Sequence, residues 1–72
     1  MNRTFEVIVT ADDQRSHGII YPPLEGERAL STMLTLTNRG IDEGCLLART
    51  RSHDIEEIIT LREMRDIYGD WN

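Results

Sequence analysis

Between Thr4 and Thr10 the chain alternates, with Phe5, Val7 and Val9 on one side and Glu6, Ile8 and Thr10 on the other. A period of two in β-branched and aromatic residues predicts a strand. The polar stretch ADDQRSHG comes next and offers turn formers at Asp12, Asp13 and Gly18, and GIIY reads as a short returning strand, so a hairpin is expected here. Pro22 and Pro23 end it, because neither can donate a ladder hydrogen bond.

From Glu25 the period lengthens. Ala29, Leu30, Met33, Leu34 and Thr37 recur at three- and four-residue steps, with Leu36 widening the stripe, which predicts an amphipathic helix. Asn38, Arg39 and Gly40 supply its exit: Gly40 is placed for the left-handed conformation after the last turn, and Ile41 for folding back on the helix. Its threonines and serine are mediocre helix formers, so packing rather than propensity must hold it.

After the polar IDEG, CLLARTR predicts a strand with Leu46 and Ala48 on one side and Cys45 and Leu47 on the other, buried at its start and emerging at Arg49 and Arg51. Ser52, His53 and Asp54 make a turn. Two readings fit residues 54–68. In one, a single helix runs from Asp54 to Tyr68, with Asp54 as N-cap, Glu57 three residues on, and an apolar set of Ile55, Ile58, Ile59 and Tyr68. In the other, Ile55 to Ile59 is a strand and a short helix starts at Thr60, where Thr60 and Glu63 form a capping box. The β-branched IEEII favours the second, and pairing it with CLLARTR is expected to bury its isoleucines. The order strand, strand, helix, strand, strand, short helix predicts one small α+β domain over residues 1–72: an antiparallel or mixed sheet of three or four strands with a main helix across one face.

At 72 residues the chain is near the lower end of what folds without staples, burying only roughly 60% of the surface its unfolded form exposes. One cysteine, Cys45, cannot form an internal disulfide, and Cys45, His17 and His53 lack the paired spacing of a structural zinc site. Self-association or a partner is the expected source of further stability. The start of the chain has neither the basic opening nor the long apolar core of a signal peptide, and no apolar run approaches the roughly 18 residues of a membrane span, so a cytoplasmic protein is expected.

The net charge of −5 is unevenly placed. Residues 1–40 hold five acids and four arginines; residues 41–72 hold eight acids and four arginines, a local charge of −4. An acidic domain repels phosphate backbones and anionic lipid, so neither direct nucleic-acid binding nor membrane docking is expected. Every basic residue is arginine, for which codon bias suffices as an explanation.

The catalytic constellations are weak. His53 and Glu57 could meet on a helix, with Asp54 adjacent, but a metal site needs three converging ligands, and capping accounts for Asp54. Cys45, with His17 and Asp12 or Asp13, has the residue types of nucleophilic catalysis, yet a thiol inside an apolar strand is inert. The carboxylates Glu56, Glu57, Glu63, Asp66 and Asp70 scatter over a face with Arg62 and Arg65 between them, where Arg62 and Asp66 could pair on the surface. Gly26, Gly40 and Gly44 are too isolated for a phosphate loop. No enzyme activity and no cofactor is expected.

What the second half does carry is acidic surface with aromatic anchors: Asp54, Glu56, Glu57, Glu63, Asp66, Tyr68, Asp70 and Trp71. Tyrosine and tryptophan are enriched at binding hot spots, although Trp71 could equally fold back over a thin core. The expected function is a small protein-binding module whose acids suit a basic surface on another protein, such as a nucleic-acid-binding groove. Small inhibitors made by phages and mobile elements, anti-CRISPR proteins among them, fit this size and charge. The alternative is a structural or regulatory subunit, homodimeric or antitoxin-like, pairing through a sheet edge or an apolar face.

Overall fold

The computed structural model describes residues 3–10, 19–52 and 54–69. The strands are β1 (Thr4–Val9), β2 (Ile19–Ile20), β3 (Leu24–Glu25), β4 (Leu46–Ser52) and β5 (Ile55–Thr60); the helices are α1 (Gly26–Asn38) and α2 (Leu61–Tyr68), with a 3-10 turn at Glu43–Cys45. All pairings are antiparallel, in the order β2-β1-β4-β5, and β3 pairs with β1 as well. The chain is thus α+β, as its pattern predicts.

The expected hairpin is observed as the pairing of Ile8 with Ile20 and Val9 with Ile19; its connecting residues lie outside those described. Pro22 and Pro23 do not end the pairing. They interrupt it, because the Tyr21 amide still donates to the Val7 carbonyl at 2.9 Å and contact resumes with Leu24 opposite Phe5 and Glu25 opposite Thr4. Both prolines are thereby set against Glu6 alone, a bulge that spares two residues without a useful amide from the ladder. The extra residue turns Leu24 as well as Tyr21 toward the core, against which both pack.

α1 ends as its sequence implies. Gly40 sits at φ 99°, its amide donating to the Thr37 carbonyl at 3.0 Å while the Ile41 amide reaches back to Leu36 at 3.1 Å, the paired bonds of a Schellman cap. Ile41 packs against the core. Cys45 falls not in β4 but in the preceding 3-10 turn, which Asp42 caps by accepting from the Gly44 amide at 3.0 Å, and it is half-buried.

Of the two expectations for residues 54–68, the split form is observed. β5 ends at Thr60, whose hydroxyl accepts from the Glu63 amide while the Glu63 carboxylate accepts from the Thr60 amide at 3.1 Å. This capping box stops the strand and starts α2 on one residue.

α1 packs on β1 and β3, α2 packs on β4 and β5, and the helices touch each other. The core between them holds Phe5 and Val7 of β1, Leu46 and Ala48 of β4, Ile59 of β5, Ala29, Leu30 and Met33 of α1, and Leu61 and Met64 of α2. Both helices lie against the side to which Phe5, Ala48 and Ile59 point, so the opposite face has no covering layer among the described residues, as antiparallel sheets allow. The Cα atoms span 36 × 33 × 17 Å, the proportions of one sheet under one layer of helices.

One consequence departs from expectation. Ile59 is buried, but Ile55 and Ile58 are 71% and 53% exposed. Ile58 points to the bare face and Ile55 lies at the outer strand's beginning, so pairing with β4 covers only one of the three.

Candidate protein-docking edge

Asp54 occupies the turn before β5, Glu56 and Glu57 lie on β5, and Glu63 and Asp66 lie on α2, all exposed. Asp70 and Trp71, like His17, His53, Asp12 and Asp13, lie outside the described residues. Tyr68 is half-buried: its ring meets Phe5 edge-on, centroids 5.7 Å apart at 80°, and a Cβ at Gly26 would overlap it. The first residue of α1 is therefore glycine where Tyr68 needs room, and this aromatic belongs to the core margin rather than to the open surface.

The acids are not equivalent. Glu56 pairs with Arg51 at 3.1 Å across β4 and β5, and Glu57 pairs with Arg3 at 2.7 Å on the helix side of the sheet, where Arg3 also stands 5.3 Å above the Phe5 ring. Both pairs are exposed, so each contributes about 0–1 kcal/mol and can exchange partners. Glu63 is held by the capping box. Among the described residues Arg62 and Asp66 form no ion pair.

On the bare face Ile8 stands between Ile20 and Leu47, and the next row sets Glu6 opposite Arg49 and Arg49 opposite Ile58. Glu6 and Arg49 pair at 2.8 Å with only 26% and 20% of their side chains exposed. The hydrogen bond from Arg49 to Glu6 holds the guanidinium above its ordinary pKa, so it is charged throughout any working pH range.

The backbone of β5 supplies the geometry that side-chain patterns miss. In an antiparallel ladder a residue's amide and carbonyl point the same way, and the direction alternates along the strand. The Thr10 amide donates to the Cys45 carbonyl at 2.8 Å, which aims the backbone of Leu47, Arg49 and Arg51 at β1 and that of Ala48 and Thr50 at β5. The bond from Tyr21 to Val7 gives the same phase independently. Ile59 and Glu57, opposite Ala48 and Thr50, therefore bond inward to β4. Glu56 and Ile58 turn their amides and carbonyls to the outer edge, where no described strand pairs with them. Thr60 shares that phase, but its amide is closed by Glu63. The missed signal lies in the register: alternation in IEEIIT identifies two faces, whereas only knowing that β5 is outermost identifies an edge.

Other chemistry is sparse. A depression of about 280 Å³ lined by Thr4, Pro23, Leu24, Glu25 and Arg28 and one of about 170 Å³ lined by Thr4, Glu6, Pro23, Arg49 and Arg51 are both open to solvent. Their linings bring the Thr4 hydroxyl near Glu25 in the first and Glu6 in the second, and among the described residues that hydroxyl donates to neither carboxylate. Among the described residues no three His, Cys, Asp or Glu side chains converge as a metal site, and no helix is long and apolar enough to cross a membrane.

Compared with known proteins, the chain matches no family model, no curated protein and no solved structure.

Proposed function

We propose that this protein is a small non-enzymatic protein-binding module that docks on a basic surface of a partner through β5 and the adjoining side of α2. The observation that carries this reading is the run Ile55, Glu56, Glu57 and Ile58, exposed at four consecutive positions of the outermost strand. Apolar area and negative charge lie together there, so a partner gains both desolvation and complementary fields. A nucleic-acid-binding groove is one such basic surface. An inhibitor that occupies it, in the manner of phage or mobile-element anti-defence proteins such as anti-CRISPRs, is the role that this size and charge suit.

The test is a pull-down from host lysate at low and high salt, run beside the double variant Glu56→Arg, Glu57→Arg. A stoichiometric basic partner, released by salt and missing from the variant sample, is the expected result. Retention by the variant, or in high salt, would sink the electrostatic reading.

The Ile8, Ile20, Leu47 and Ile58 cluster favours a second reading, a regulatory subunit that pairs through this apolar face. Its mark is a melting temperature that rises with protein concentration; a melt constant over a hundredfold dilution would dismiss it.

A further inference from the structure

We propose that the partner contributes an extended segment that joins the sheet as a further antiparallel strand beside β5, with a branched apolar residue opposite Ile58 and basic residues opposite Glu57 and Glu56. The inference rests on the docking reading and specifies what is docked.

Backbone direction comes first. Glu56 and Ile58 each aim one amide and one carbonyl outward, so an added strand gains four ladder bonds over three residues. The Glu63 carboxylate on the Thr60 amide sets the limit of this pairing at the α2 end.

Side chains then choose the occupant. A residue opposite Ile58 stands on the bare face beside an isoleucine that is 53% exposed and that has Arg49 on its other side. An apolar β-branched residue fits there, where it covers the exposed Ile58 side chain across the ladder, a contact that a charged head group does not make. The residue opposite Glu56 stands on the same face, and the residue opposite Glu57 on the helix side. At both places a lysine or arginine can share or replace the exposed pairs that Arg51 and Arg3 now make.

A second copy of this chain is a poor occupant. Two-fold pairing of β5 with itself in this backbone phase sets Glu57 against Glu57 or Glu56 against Glu56, or else centres on Ile58 and brings Glu56 opposite Thr60, whose amide Glu63 already closes. Like charges across a ladder are destabilising.

In antiparallel order the segment reads apolar, basic, basic. The probe is a peptide carrying Thr-Thr-Val-Lys-Arg-Ile, with valine opposite Ile58. The valine amide points at β5 and the lysine amide points away. N-methylation at valine is therefore expected to weaken binding at least tenfold, and N-methylation at lysine less than threefold. Amide exchange at Glu56 and Ile58 should slow when the parent peptide binds, while Glu57, already bonded to Thr50, should not change. The charge-reversed protein Glu56→Arg, Glu57→Arg should lose the parent peptide tenfold or more and gain its counterpart with two glutamates in place of lysine and arginine.

Equal binding of the two N-methylated peptides, with salt-sensitive binding of the parent, would overturn strand addition while leaving acidic docking intact. No binding of the parent peptide at millimolar concentration and low salt would also overturn strand addition. The docking reading would then stand or fall on the lysate experiment alone.

Discussion

At one edge of the sheet, β2 and β3 pair with β1 through two residues each and are parted by Pro22 and Pro23. At the other, β5 runs six residues in unbroken register with β4, and its sequence IEEIIT holds neither proline nor glycine. Exposed edges invite pairing, and sheets commonly blunt them with prolines, bulges, short strands or inward-pointing charges. The first edge uses proline, bulge and brevity together. The second uses charge alone, with Glu57 aimed at the helix side and met there by Arg3. Charge is the one device among these that selects: it opposes an acidic strand or a second copy and admits a basic segment. On the proposed docking reading, the contrast places recognition at β5 and structural closure at the β2 and β3 edge.

The sharpest way to break this contrast is to close β5 as the other edge is closed. Ile59 is buried and bonds inward, so Ile59→Pro removes a ladder bond and a core side chain together, costing more than about 3 kcal/mol. A domain of this size holds roughly 4–11 kcal/mol in total, so the variant should be largely unfolded by far-ultraviolet circular dichroism. Ile58→Pro, one residue earlier, loses an amide that points outward. It should cost about 1 kcal/mol in urea melts and keep the fold. Equal losses at the two positions would show that the backbone phase of β5 is wrong.

Next in size is Gly26→Ala. The new methyl group would displace the Tyr68 ring from its place against Phe5 and over the start of α1, an overpacking cost of about 1–3 kcal/mol. At about 4–8 °C per kcal/mol, a thermal melt resolves it. In a Tyr68→Ala background the loss should vanish, because the atoms that clash are gone and alanine is the better helix former. Additive losses would mean that Gly26 serves something other than Tyr68.

Thr60→Ala removes half of the capping box and should cost about 1 kcal/mol in urea melts, with faster amide exchange in the first turn of α2. The same change loosens Glu63 from the Thr60 amide and lengthens the outer edge by one bonding position. Protection of the Glu57 amide should remain, since its bond to β4 does not involve the cap.

These elements differ in how far the chain alone discloses them. α1, its Schellman exit at Gly40, the split at Thr60 and the pairing of β4 with β5 come from local rules, because each is decided by residues within a few positions of one another. β3 does not. Two prolines argue for an ending, and only the tertiary position of Glu6, with two residues set against it, turns them into a bulge. Cys45 is misplaced for a similar reason: Asp42 caps a 3-10 turn that claims the first residue of an apolar run. The isoleucines are the larger lesson. Their β-branching correctly implies a strand, but burial depends on which face the helices cover and which strand is last, and neither is written in IEEII. The acids at Asp54, Glu56, Glu57, Glu63 and Asp66 are legible as surface, whereas their division into paired, capping and unpaired groups needs the register. Tyr68 reads as an anchor by residue type and proves half-buried because Gly26 leaves space for it.

The smallest effect on stability is expected from Glu57→Val. The lost pair with Arg3 is exposed, and valine is a better strand former, so the two changes should nearly cancel, leaving the unfolding free energy within about 0.5 kcal/mol of its starting value. Yet this substitution removes the helix-side charge of the β5 edge, leaving Glu56 as its remaining acid, and sets Ile55 and the new valine on one side and Ile58 on the other of an outward row of amides and carbonyls. Unlike charge pairing, apolar strand pairing has no preference against a second copy. The variant should therefore self-associate, showing larger species in sedimentation and a melting temperature that rises with concentration, while Ile58→Pro in the same background should return it to the state of the parent. If Glu57→Val behaves as the parent does at millimolar concentration, the acid is not what guards this edge, and the contrast between the two edges loses its charged half.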